Sequence, residues 1–148
     1  MTHAPHILVI NPGSTSSKIA LFRGEEKIEQ DSIPIDSEQI SEYSGIWDQF
    51  DFRLHGIQHF IQTHNINALD AVVGRGGLLK PVKRGTYRVN KAMLQDARIG
   101  VQGLHIANLG CALANETAAD FDCPAFVVAP VSVDEFEPVA RYSGHPLI

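Results

Sequence analysis

Ile7-Leu8-Val9-Ile10-Asn11-Pro12-Gly13-Ser14-Thr15-Ser16-Ser17-Lys18 is the stretch on which the reading of this chain turns. His6 to Ile10 is a short run of β-branched and aliphatic residues, as expected of a strand buried on both faces. Asn11 to Ser16 is a dense cluster of turn formers. Ile19 to Phe22 then resumes an apolar run, so the pair reads as a β-hairpin. Such a turn has the means to bind phosphate. Its backbone N–H groups can line a concavity, hydroxyls add further donors, and Lys18 adds a point charge. Asn11 can orient a phosphate oxygen or a metal-bound water. The segment is not a Walker loop, because it lacks G-x-x-x-x-G-K-[ST] and a strand rather than a helix follows. Taken alone, it is also compatible with a polar hairpin turn that binds nothing.

Working outward, Arg23-Gly24-Glu25-Glu26 is a second turn and Lys27 to Ile35 a third strand, so a three-strand antiparallel meander opens the chain. The period then changes. Trp47, Phe50, Leu54, Ile57 and Ile61 recur at spacings of three and four, which predicts a helix. Ala68 to Gly74 is another apolar strand, ended by Arg75-Gly76-Gly77, and a basic polar loop follows with Lys80, Lys83, Arg84 and Arg88. Asn90 is placed to cap a short helix through Arg98. A second helix is expected over roughly His105 to Ala119, with Leu109, Leu113 and Thr117 on one side. Ala125 to Ala129 is the last strand, and Pro130 and Pro138 flank a loop holding Asp134. The order predicts an α/β domain: a mixed sheet of about five strands flanked by helices.

The bulk properties exclude several classes. At 148 residues the chain is long enough for one domain with a real core. Its 44% hydrophobic and 20% charged content is that of a globular protein, not a disordered one. The net charge of −5 offers no basic face for nucleic acid. The run Ile7 to Ile10 is too short for a signal peptide or a membrane span, so a soluble cytoplasmic protein is the expectation. Cys111 and Cys123 form no C-x-x-C pair and read as reduced thiols.

Three side chains outside the hairpin have the right chemistry for phosphoryl transfer, which needs positioning and charge neutralisation rather than covalent help. Arg75 follows a strand inside a glycine-rich stretch, where a guanidinium can grip carboxylate or phosphoryl oxygens with two parallel hydrogen bonds. His105 stands near the start of a predicted helix, where its N–H can join backbone donors. Asp134 lies in a loop after the last strand, where a carboxylate can position Mg2+ or an acceptor. The spacing of His55 and His59 is that of metal ligands, but no third ligand accompanies them.

The hairpin segment closely resembles the first phosphate motif of the acetate and butyrate kinases, members of the actin-like superfamily. Gly74-Arg75-Gly76-Gly77-Leu78-Leu79-Lys80-Pro81, Gly85-Thr86-Tyr87-Arg88-Val89-Asn90, His105-Ile106-Ala107-Asn108-Leu109-Gly110 and Pro130-Val131-Ser132-Val133-Asp134-Glu135-Phe136 resemble the butyrate kinase branch. The resemblance spans nearly the whole chain and is weakest over Glu38 to His64. It implies an actin-like, ribonuclease H-like fold and an ATP- and Mg2+-dependent kinase that phosphorylates a short-chain fatty acid, butyrate by preference. It implies catalytic roles for Arg75, His105 and Asp134. Phosphate contacts fall to Asn11, Gly13, Ser14, Ser16 and Lys18, and Asn11 and Asp134 are implied near the metal. The family has two such domains, so the chain is expected to be the N-terminal one without its C-terminal partner. Little turnover alone, and self-association into a homodimer through the uncovered face, follow as expectations. A stand-alone phosphate- or partner-binding domain is the alternative, as are acetate or branched-chain acids for the substrate.

Overall fold

The computed structural model describes residues 3–128. Six strands form one mixed sheet in the order β3-β2-β1-β4-β6-β5. They are β1 (His6–Pro12), β2 (Ser16–Arg23), β3 (Glu26–Pro34), β4 (Ala71–Arg75), β5 (Thr86–Arg88) and β6 (Ala125–Val128). The first three form the expected antiparallel meander, with Asn11 opposite Lys18 and Ser16 opposite Pro34. β4 then returns parallel to β1, and β6 parallel to β4. The helices are α1 (Ser37–Ser41), α2 (Phe50–Thr63), α3 (Lys91–Ile99) and α4 (Leu109–Asp120). None in the described residues is long and apolar enough to cross a membrane.

The sixth strand is the departure from the sequence expectation of about five. Thr86–Arg88 lies within the stretch read as a basic loop, yet it pairs antiparallel with β6 at the sheet edge. Three residues without an apolar alternation give no periodic signal. α1 also escaped the sequence reading, since its five residues bury none of their side chains.

The register explains the core. Leu21, Leu8, Val72 and Ala125 stand in one row across the sheet, and Ile19, Ile10, Gly74 and Val127 in the next. All eight are buried. Ile57 and Phe60 of α2 and Leu109 and Leu113 of α4 pack against these rows. Burying such side chains contributes about 1.5–3 kcal/mol each. Asn90 caps α3 as expected, its side chain accepting the Met93 N–H at 2.9 Å, and Gly100 closes the helix in the left-handed conformation.

Gly74 is the smallest member of its row because α4 descends on it. A Cβ there would stand 2.3 Å from the Gly110 carbonyl oxygen, and a Cβ on Gly110 would stand 2.1 Å from that of Arg75. The helix start and the strand end therefore touch backbone to backbone. Beside this contact, Cys111 is fully buried and its thiol is pushed up to about 11 by loss of solvent.

Two outcomes follow. Gly110→Ala should lower stability by roughly 2–3 kcal/mol in urea unfolding. Gly45→Ala, with nothing within 4 Å of the new methyl, should stay within about 1 kcal/mol of the parent; equal effects would refute the close contact. In alkylation at neutral pH followed by peptide mass spectrometry, Cys111 should stay unlabelled until urea is added, whereas the half-buried Cys123 reacts in the native protein.

Candidate anion-binding site

β1 and β4 run parallel and end side by side, Ile10 opposite Gly74. One residue further on, Asn11 and Arg75 emerge at the same end of the sheet. The chain turns over Gly13–Thr15 and returns as β2, which brings Lys18 opposite Asn11. The Gly74–Gly110 contact fixes the start of α4 beside the same edge, and a 3-10 turn over Ile106–Asn108 leads into that helix. Between these parts lies a cavity of about 350 Å³ lined by Asn11 to Ser16, Lys18, Arg75 and His105 to Ala107. Every described residue named from the sequence as a site residue is on that wall; Asp134 lies outside the described residues. The cavity unites three segments separated by about 60 and 30 residues along the chain.

The lining holds Lys18, Arg75 and His105 and, among the described residues, no carboxylate. In a chain of net charge −5, this is a local excess of positive charge and donors. His105 is oriented by the backbone two residues on: Nδ1 accepts the Ala107 N–H at 3.1 Å, so the neutral ring carries its proton on Nε2. Such a ring can donate to an oxyanion.

The turn is held from beneath by a residue that the sequence reading passed over. Arg53 of α2 is 1% exposed. Its guanidinium donates to the Gly13 carbonyl at 2.8 Å, the Ser16 carbonyl at 3.3 Å and Ser17 Oγ at 2.9 Å. Two further N–H groups go to Gln49 Oε1, at 2.9 and 3.2 Å. Gly13 N–H closes the turn onto the Ser16 carbonyl at 2.7 Å, and Ile35 N–H holds the Thr15 carbonyl at 2.9 Å. The carbonyls of Gly13, Thr15 and Ser16 are thus all engaged by the protein. Peptide planarity then sends the Ser14 N–H away from Arg53, since the peptides are trans. Burial draws the guanidinium below its ordinary proton affinity and Tyr43 opposes this, but arginine keeps its proton in proteins. One signal for Arg53 was available: it occupies a position on the core stripe of α2 with Ile57 and Phe60, where a charge is out of place.

Asn108 performs a similar service for the loop after Arg75. Its Oδ1 accepts the Leu78 N–H at 2.8 Å, and its Nδ2 donates to the Ala97 and Gly103 carbonyls at 3.2 and 3.0 Å. Gly77 lies against it so closely that a Cβ would meet Asn108 atoms at 2.4–2.6 Å. One buried amide therefore ties the strand end, α3 and the approach to His105 together.

Other candidates separate from the site. Lys80, Lys83, Arg84 and Arg88 contribute nothing to the cavity wall; Lys80 pairs with Asp96 at 3.6 Å. His55 and His59 join no group of three or more His, Cys, Asp or Glu placed to hold a metal among the described residues. The described wall offers a divalent cation only neutral oxygens from Asn11 and the hydroxyls, beside two cations. Mg2+ wants carboxylate or phosphate oxygens, so these residues suit an anion and not, on their own, a bare metal ion.

No protein-family model matches the chain. Solved structures with a similar fold include acetate kinase from Entamoeba histolytica, with a TM-score of 0.53 and 12% identity over 95% of this chain and 39% of that one. An exopolyphosphatase from Cytophaga hutchinsonii matches with a TM-score of 0.51 and 12% identity, over 84% of this chain and 53% of that one. A propionate kinase from Francisella tularensis matches with a TM-score of 0.51 and 15% identity, over 84% of this chain and 36% of that one. The chain thus spans about half or less of the length of these proteins. At such identities the likeness defines the class of fold, the actin-like fold shared by these kinases and phosphatases.

Asn108→Ala should cost about 2 kcal/mol or more, because it strands a buried N–H and two carbonyls. Urea unfolding measures the loss, and limited proteolysis should show faster cleavage within 76–78. Unchanged stability and cleavage would contradict the role given to the amide.

Proposed function

We propose that this chain carries the phosphate-binding part of a carboxylate kinase, which transfers the γ-phosphoryl group of ATP to a short-chain fatty acid, butyrate by preference. The observation that carries this reading is the single cavity, free of carboxylates in its described wall, into which the hairpin turn, Arg75 and His105 converge. The similarity of the fold to acetate and propionate kinases supports it. Preference for butyrate rests on the butyrate-branch wording of the sequence blocks around Arg75, Arg88 and His105.

The chemistry asks little of the protein beyond placement. A fatty acid is already ionised at neutral pH, so its oxygen attacks without a general base. The new bond joins that oxygen to the γ-phosphorus; the bond from phosphorus to the β,γ-bridging oxygen breaks, and ADP leaves with the electron pair. Both reactants are anions, so the barrier is largely one of charge and alignment. Backbone and hydroxyl donors of Ser14 and Ser16, with Lys18, hold the phosphate chain. Arg75 grips the acceptor carboxylate and the phosphoryl oxygens, and the Nε2–H of His105 donates to the transferring group. Mg2+ supplies charge neutralisation on the nucleotide phosphates, with Asn11 and Asp134 as the residues proposed near it. The fold likeness to an exopolyphosphatase leaves phosphate release as the second reading, since the same donors serve a phosphoryl group attacked by water.

Calorimetry with butyryl phosphate, inorganic phosphate and polyphosphate tests this. Butyryl phosphate should bind best, and Arg75→Ala and Lys18→Ala should each weaken it about tenfold or more. Tighter binding of polyphosphate would favour the phosphatase reading. No gain of butyryl phosphate over inorganic phosphate would point to a plain phosphate-binding domain.

A further inference from the structure

All five N–H donors of Arg53 are engaged, and each meets a neutral oxygen: Gln49 Oε1 twice, Ser17 Oγ, and the Gly13 and Ser16 carbonyls. No carboxylate of the described residues forms an ion pair with it. Among the described residues a full positive charge is therefore buried without a carboxylate counter-charge, an arrangement that ordinarily costs several kcal/mol. It stands one peptide layer behind the turn and forms no part of the cavity wall. The carbonyl dipoles of Gly13 and Ser16 point at the guanidinium, so the opposite, electropositive side of that peptide layer is turned away from it.

We propose that Arg53 is a positioning residue for anion binding: it holds the Gly13–Ser16 turn in its donor-outward form, and an anion in the cavity completes its electrostatic environment through the turn. This deepens the phosphate-binding reading and rests on it. Three physical consequences follow. The Gly13 and Ser16 peptides need no rearrangement to receive phosphate, because their carbonyls are already drawn to Arg53. The buried charge and the anion lie on opposite sides of one peptide layer, where low polarisability strengthens their attraction. Fork geometry matters as well as charge, since two carbonyls and a hydroxyl are gripped at once. Lysine at this position keeps the charge but has three donors and no planar fork.

The test uses inorganic phosphate as the probe and the full 148-residue chain. Binding is measured by calorimetry on the folded protein, and stability separately by urea unfolding. Arg53→Gln should weaken phosphate binding about tenfold, beyond any loss of stability, and Arg53→Lys should fall closer to Arg53→Gln than to the parent. Ser17→Ala, which removes one partner and no charge, should weaken binding in the same direction by about twofold to threefold. Should the Arg53 variants fail to fold, two measurements still decide the matter: Ser17→Ala, and the Arg53 Nε–H resonance of the parent, which should shift as phosphate is added.

Parent binding that is lost in Lys18→Ala but unchanged in folded Arg53→Gln, or in Ser17→Ala with a still Nε–H resonance, overturns the role of Arg53 and leaves the anion site standing. If the parent binds no phosphate, the underlying reading falls, and this inference with it. Reduced stability with unaltered phosphate affinity would reduce Arg53 to a structural residue.

Discussion

The site depends on a contact between two backbones. Gly74 stands within a buried row of the sheet near the end of β4, Gly110 is the second residue of α4, and no side chain separates them. Layers that pack through side chains, such as two stacked sheets, ordinarily stand about 10 Å apart. Here the helix start reaches the strand end directly, so His105 and Arg75 come to face one cavity although 30 positions part them. Asn108 then stitches the loops on both sides of that contact.

The opposite wall uses another device. The hairpin turn is built from residues that favour turns, but turn propensity does not decide which way the peptides face. Donors from elsewhere in the chain engage its carbonyls: Arg53 on Gly13 and Ser16, and Ile35 on Thr15. The carbonyls of Gly13, Thr15 and Ser16 are engaged by the protein, and Lys18, Arg75 and His105 line the cavity. One wall is thus held by close packing of glycine backbone, the other by a buried charge, and the site between them owes its sign to both.

Much of the fold was legible in the primary structure. The alternation of β-branched runs with Gly/Ser turns marked the meander, Asn90 marked the start of α3, and the apolar run from Ala68 to Gly74 marked the strand that carries Arg75, which begins at Ala71. The helical stripe of α2 was legible too, but its centre was not. Phe50, Leu54 and Ile61 are only half-buried, while Arg53, Ile57 and Phe60 face the core. Hydrophobic periodicity places a charged residue outside by default, and it fails where a charge is buried for the sake of backbone oxygens. β5 was hidden because a three-residue edge strand is made by its neighbour's hydrogen bonds and carries no pattern of its own.

Residue order alone settled the class of sheet, the hairpin with its donors, and the residue types suited to an anion, because these follow from local propensity and side-chain chemistry. Tertiary structure decided which of them meet. Arg75 stands beside the turn because β4 pairs with β1, His105 because two glycines let a helix touch a strand, and the carbonyls of the turn are held by Arg53 and Ile35 from elsewhere in the chain. All are long-range packing relations, and no local propensity encodes them.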